Sequence, residues 1–139
     1  MYFDWIGQHY SINFLSSQTG LASNDSGLTC YQLSNMINHM GGKSAVKMYN
    51  IQTLRDQLDK GLPTIVLITY GYIPGRQSSY TGGHFVVVVG YDDNYFYVND
   101  PDYYGIRRNE GKSFKVPSAS LRYAIERSPV PNQVIEIQG

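Results

Sequence analysis

Gly82-Gly83-His84-Phe85-Val86-Val87-Val88-Val89-Gly90-Tyr91-Asp92, followed by Asn94-Tyr95-Phe96-Tyr97-Val98-Asn99-Asp100-Pro101, is the most apolar and β-branched part of this chain. Phe85 to Val89 is a continuous apolar run between glycines, too short for a free-standing helix, and reads as a buried central strand. Tyr95 to Val98 reads the same way. Between them Asp92-Asp93-Asn94 supplies turn chemistry, because Asn and Asp tolerate left-handed backbone angles and bond their own main chain. The two runs are expected to pair as an antiparallel hairpin. His84, at the start of one strand, then lies beside Asn99 and Asp100, at the end of the other. A carboxylate there is placed to orient the imidazole and stabilise its charged form, the use that catalytic triads make of their third member.

Upstream, Asn24, Asp25 and Ser26 suit a helix start, and Cys30, Leu33, Ile37 and Met40 recur at helical spacing before Gly41-Gly42. Asn50 is a cap for a second helix whose apolar face is Ile51, Leu54 and Leu58, closed by Lys60-Gly61. Pro63 opens Thr64-Ile65-Val66-Leu67-Ile68-Thr69, a second buried strand. Residues 1–25 have no sustained period and are expected to form an extended arm. Two helices thus precede the sheet. Gly71 to Gly83 is longer than most hairpin connections and is a candidate substrate-facing flap. Downstream, Ser113 to Val116 reads as a strand, Pro117-Ser118 through Ile125 as a short helix, and Val134 to Ile137 as an edge strand. Strands following helices without βαβ alternation indicate an α+β fold, with residues 1–139 as one domain.

Composition narrows the chemistry. Basic and acidic residues balance at 11 each, and no Lys/Arg run interleaves with aromatics, so no nucleic-acid footprint is expected. No apolar stretch approaches the ~20 residues of a membrane span, and the N-terminus lacks the order of a signal peptide. The reading is a soluble domain with no membrane insertion and no address of its own, its compartment left open by the lone Cys30. Three histidines, at 9, 39 and 84, form no cluster with metal-ligand spacing, and no phosphate-binding glycine loop is present, so neither a metal nor another cofactor is expected. His9 and His39 read as surface residues or as histidines with their hydrogen bonds satisfied. The thirteen tyrosines, among them Tyr70, Tyr72, Tyr80, Tyr103 and Tyr104, read either as amphipathic filler at strand edges or as a peptide-binding rim or partner surface.

Four blocks in order, Asp25-Ser26-Gly27-Leu28-Thr29-Cys30, Asp59-Lys60-Gly61-Leu62-Pro63-Thr64-Ile65-Val66-Leu67, Gly83 to Asp92, and Val98-Asn99-Asp100-Pro101, resemble the C39-like peptidases of the papain-like superfamily. The resemblance runs from about Gln18 to Pro101 and is most specific in the last two blocks. It implies a papain-like α+β fold with N-terminal helices packed on an antiparallel β-sheet. It also implies cofactor-free cleavage of a peptide or protein substrate by a Cys-His-Asp triad, with His84 and Asp100 as its second and third members. The family's nucleophilic cysteine opens the first helix; the matching position here is Ser26. Gln18 is the match to the glutamine that donates to the oxyanion, with Gln8 as the fallback.

A site shaped around a thiolate–imidazolium pair deprotonates a hydroxyl poorly, so Ser26 is expected to be nearly inert. Three accounts of it stay open: an engineered Cys-to-Ser exchange, a natural pseudoenzyme that keeps a peptide groove, or a shifted register in which Cys30 attacks. The last is disfavoured because Cys30 shares an apolar face with Leu33 and Ile37. Deamidation or transfer chemistry fits the same triad. A toxin or effector module, cut from a larger secreted or membrane-associated bacterial protein and held by an immunity or inhibitor partner, is a further alternative.

Overall fold

The computed structural model describes residues 29–76, 79–103 and 105–139. Helix α1 (Cys30–His39) leads to strand β1 (Ser44–Met48), helix α2 (Ile51–Asp59) and strand β2 (Thr64–Thr69). Strands β3 (Gly83–Tyr91), β4 (Tyr95–Asn99) and β5 (Phe114–Pro117) follow, then helix α3 (Ser118–Glu126) and strand β6 (Gln133–Ile137). The strands form a single sheet in the order β1-β6-β2-β3-β4-β5, antiparallel at every pairing.

Both faces of the sheet are covered, which is why β2 and β3 read as unbroken apolar runs. On one face Val66, Ile68, Val86, Val88, Phe96 and Val98 pack with Leu54 of α2 and with Leu121 and Ile125 of α3. On the other, Ile65, Leu67 and Val87 pack with Cys30, Leu33, Met36 and Ile37 of α1. Strand residues point alternately to the two sides, so the sequence of β3 is divided between two cores.

Local signals explain most boundaries. Asp92 Oδ1 accepts the backbone N–H groups of Asn94 and Tyr95 at 3.0 and 2.9 Å, closing the β3–β4 turn as its composition predicts. Asn50 Oδ1 takes the Gln52 and Thr53 N–H groups and caps α2. Its closing glycine, Gly61, sits at φ 76°, a left-handed value that suits the residue after a helix. Within α2 the expected face is only partly inward: Leu54 is buried, but Ile51 is exposed and Gln57 takes the inner position, donating to the Ile137 carbonyl at 2.9 Å.

Three expectations are corrected. Helix α1 starts at Cys30, not at Asn24–Ser26, because Thr29 and Gln32 form a reciprocal capping box that satisfies first-turn donors. The helices do not both precede the sheet, since β1 lies between them. That strand is an edge whose second half, Lys47 and Met48, is exposed, so it lacks the apolar run that marks β2 and β3. It pairs with β6, which therefore lies inside the sheet between β1 and β2 instead of at an edge. The 1–25 arm lies outside the described residues.

Candidate active site

The start of β3 and the end of β4 meet at one end of the sheet, where Ile68 pairs with His84 and Val87 with Asn99. Asp100 is the first residue beyond β4. Its Oδ1 lies 2.8 Å from His84 Nε2, and the two side chains are 1% and 17% exposed respectively. Asp100 Oδ1 also accepts the Asp102 N–H at 2.9 Å, and Oδ2 accepts the Tyr70 hydroxyl at 2.6 Å. Three donors thus converge on one buried carboxylate.

Burial alone would push the Asp100 carboxyl up. The hydrogen bonds from His84, Tyr70 and the Asp102 N–H outweigh it, and the group is held below its ordinary 3.8. An ionised carboxylate only accepts, so the proton in the His84–Asp100 bond belongs to Nε2. Nδ1 is then the imidazole nitrogen left to exchange a proton with another group.

The backbone around Asp100 is tightly specified. Its N–H donates to the Gly111 carbonyl at 2.7 Å, which closes the segment containing the 3-10 turn Gly105–Gly111. A Cβ at Gly111 would stand 2.6 Å from Tyr103 Cβ and 2.7 Å from the Asp100 carbonyl oxygen. Gly111→Ala is therefore expected to cost about 1–3 kcal/mol, a typical overpacking penalty, read as a lower denaturant midpoint at unchanged slope. An unchanged midpoint would contradict the close approach.

Cys30 is excluded from this chemistry by position. Its side chain is 0% exposed and belongs to the α1-side core with Val87, whereas alternation along β3 puts His84 on the opposite face with Val86 and Val88. Burial pushes the thiol up to about 11. The folded state therefore holds this proton more tightly than the unfolded chain, and the associated stability, complete below the pKa of an unfolded thiol, is lost as pH rises toward about 11. Native protein at neutral pH is expected to leave Cys30 unlabelled by iodoacetamide and to label it on denaturation; rapid native labelling would refute this placement.

Ser26, Gln18 and the fallback Gln8 lie outside the described residues, as does His9. Ser26 precedes the Thr29 cap of α1 by three positions in the sequence. Ser34 and Asn38 bond Ser44, the first residue of β1, through the Oγ–Oγ contact of 2.7 Å and the Ser44 N–H to Asn38 Oδ1 bond of 2.7 Å. This ties the C-terminal half of α1 to one end of the sheet. Its N-terminus is thus directed toward the other end, the one carrying Thr69, Gly83 and His84.

Sequence reasoning missed Tyr70, grouped with the other tyrosines as filler or rim. It is 0% exposed and in contact with both His84 and Asp100. Its place directly after β2, the strand paired to His84, was the available signal. Tyr72 and Tyr80 are exposed, Tyr103 is buried with its hydroxyl on the Gly75 carbonyl, Tyr104 lies outside the described residues, and His39 is exposed.

The fold, taken by itself, is shared with solved structures. The chain superposes on the peptidase domain of Streptococcus ComA, a bi-functional ABC transporter involved in a quorum-sensing pathway. The TM-score is 0.67 at 19% identity, covering 98% of this chain and 83% of that one. It also superposes on the crystal structure described as a "putative C39-like peptidase from Bacillus anthracis", with a TM-score of 0.63 at 18% identity, covering 84% of this chain and 62% of that one. The fold is α+β and papain-like, with an antiparallel sheet of six strands among the described residues and helices packed against it.

The chain belongs to the Peptidase_C39 like family, whose model matches residues 7–118. It is also 32% identical over 90 residues to the uncharacterized protein YvpB of Bacillus subtilis (strain 168). That match covers 57% of this chain and 34% of YvpB, so the chain spans about a third of the relative's length.

Proposed function

We propose that this is a cysteine-peptidase-type domain built to cleave peptide or amide bonds. Position 26 holds the nucleophile, His84 is the base and Asp100 orients it, and Ser26 leaves the chain nearly inert as it stands. The observation that carries this reading is the buried Asp100 carboxylate, ionised and fixed by three donors, with His84 Nε2 at 2.8 Å. Such a pair leaves Nδ1 to take a proton from a nucleophile and return it to a leaving amine. Gln18, through its side-chain amide, and the backbone N–H of residue 26 are the donors assigned to the developing oxyanion.

The serine matters because the imidazole acts differently on the two nucleophiles. A thiol paired with an imidazole ionises readily, whereas a hydroxyl gains almost nothing in the ground state. The same serine favours a second reading, a pseudoenzyme that binds peptides without cutting them.

A peptidyl chloromethyl ketone discriminates the two. The Ser26→Cys chain is expected to form a covalent adduct at position 26, seen by mass spectrometry and abolished by His84→Ala. Tight reversible peptide binding by a Ser26→Cys chain that never forms the adduct would replace the peptidase reading with the binding one.

A further inference from the structure

Tyr70 follows β2 directly and opens a 3-10 turn, Tyr70–Tyr72, and its N–H donates to the Gly82 carbonyl at 2.9 Å. That bond closes the base of the long connection to β3 and sets the residue against the strand's first positions. Its hydroxyl donates to Asp100 Oδ2 at 2.6 Å. Its ring lies 4.3 Å, centroid to centroid, from the His84 imidazole at an interplanar angle of 44°. Beyond it stands Arg76, whose guanidinium is 5.9 Å from the Tyr70 ring and donates to the Gly71 and Ile73 carbonyls. One side chain therefore touches both members of the His84–Asp100 pair.

We propose that Tyr70 is the positioning residue of this site: its hydroxyl fixes the second oxygen of Asp100 while its ring backs His84, holding Nε2 on the carboxylate and Nδ1 free. The inference rests on the reading of His84–Asp100 as base and orienter. Its physical basis is the division of donors. His84 and the Asp102 N–H both engage Oδ1, and Tyr70 engages Oδ2. A carboxylate held at one oxygen can rotate about its Cβ–Cγ bond; held at both, it presents one oxygen to His84 in one direction. Loss of the hydroxyl also leaves Oδ2 buried without this donor, which favours rearrangement of the carboxylate. The ring removes one face of the imidazole from solvent and resists its reorientation. A hydroxyl-bearing aromatic satisfies both demands, and phenylalanine satisfies one.

Tyr70→Phe separates the two roles, because it keeps the ring and deletes the hydroxyl. The first readout needs no activity: proton–nitrogen NMR of the His84 imidazole in the chain as it stands. The parent is expected to show a protected Nε2–H signal, and Y70F to lose it to exchange or tautomer mixing. Tyr97→Phe is the matched control, since it deletes a tyrosine hydroxyl that donates to Asp92 Oδ2 at the same 2.6 Å, at the opposite end of β4 from Asp100, and should keep the signal. The second readout is kinetic. In a Ser26→Cys background Y70F is expected to lower kcat roughly tenfold with little change in KM, as befits a group acting through the base. Retention by Y70F of both the signal and kcat would overturn the proposal. A further measurement covers a poorly folded variant: in the parent chain the Tyr70 hydroxyl proton must be protected from exchange, and its absence from the spectrum would also overturn it. If Ser26→Cys proves inactive while Y70F still erases the imidazole signal, the positioning role stands and the peptidase reading fails.

Discussion

Ser26→Cys is expected to raise cleavage of unstructured peptides over the parent chain by on the order of 10³-fold or more, since a nucleophile and its base act as one unit in such sites. The magnitude follows from what each atom asks of His84. A serine hydroxyl must lose its proton during the attack itself, so the base must be aligned on the hydroxyl and on the substrate carbonyl at once. A thiol, with an ordinary pKa of about 8.5, can surrender its proton to the imidazole beforehand and wait as thiolate. Asp100, buried and held below its ordinary 3.8, lies 2.8 Å from the imidazole, and on the proposed reading its charge stabilises an imidazolium. The gain should be read as kcat/KM on a fluorogenic peptide mixture, with Cys30→Ala added to show that the buried thiol makes no contribution. A Ser26→Cys chain no faster than the parent would remove position 26 from the mechanism.

Asp100→Asn in that activated background is the second large effect, an expected loss of about 10²–10⁴ in kcat. Asparagine keeps the shape but replaces one acceptor oxygen by a donor, where His84, Tyr70 and the Asp102 N–H all require acceptors. Either the amide oxygen faces His84 and the NH₂ meets the Tyr70 hydroxyl, or the NH₂ faces His84 and selects the wrong tautomer. The charge that stabilises the imidazolium is lost in both cases. The same carboxylate also supports the fold. Because Asp100 is held below its ordinary 3.8, its contribution is complete above that pH and is lost as pH falls through its lower folded value. Asp100→Asn should therefore lower thermal stability near neutral pH and remove this part of the acid dependence. Activity within twofold of the background would contradict the orienter role.

Much of this architecture was legible because the signals were local. Asn50, Asp92 and Gly61 act on the backbone within a few residues, so α2 and the β3–β4 turn could be read from them. The proximity of His84 to Asp100 followed from the hairpin, where a two-stranded register needs only the turn to be right. What was not legible depends on contacts between distant segments. Val134 to Ile137 looks like an edge strand until β1, almost ninety residues earlier, pairs with its free side. The β1 sequence Ser44-Ala45-Val46-Lys47-Met48 is too polar to announce a strand, and it is held by β6 and by the Ser34–Ser44 contact. The helix that carries Cys30 begins there because Thr29 and Gln32 form its capping box, a signal that competes with other cap-type residues nearby in the sequence. Tyr70 went unread because an aromatic after a strand has many uses, and only the fold brings it to the Asp100 carboxylate.

On the proposed reading, His84 and Asp100 activate whatever stands at position 26. The pH dependence of iodoacetamide alkylation in the Ser26→Cys chain, with the modified position identified by peptide mapping, tests it most directly. Alkylation at position 26 is expected to persist well below the ordinary thiol pKa of about 8.5 and to revert to an ordinary thiol profile in His84→Ala. An ordinary profile with His84 in place would contradict it.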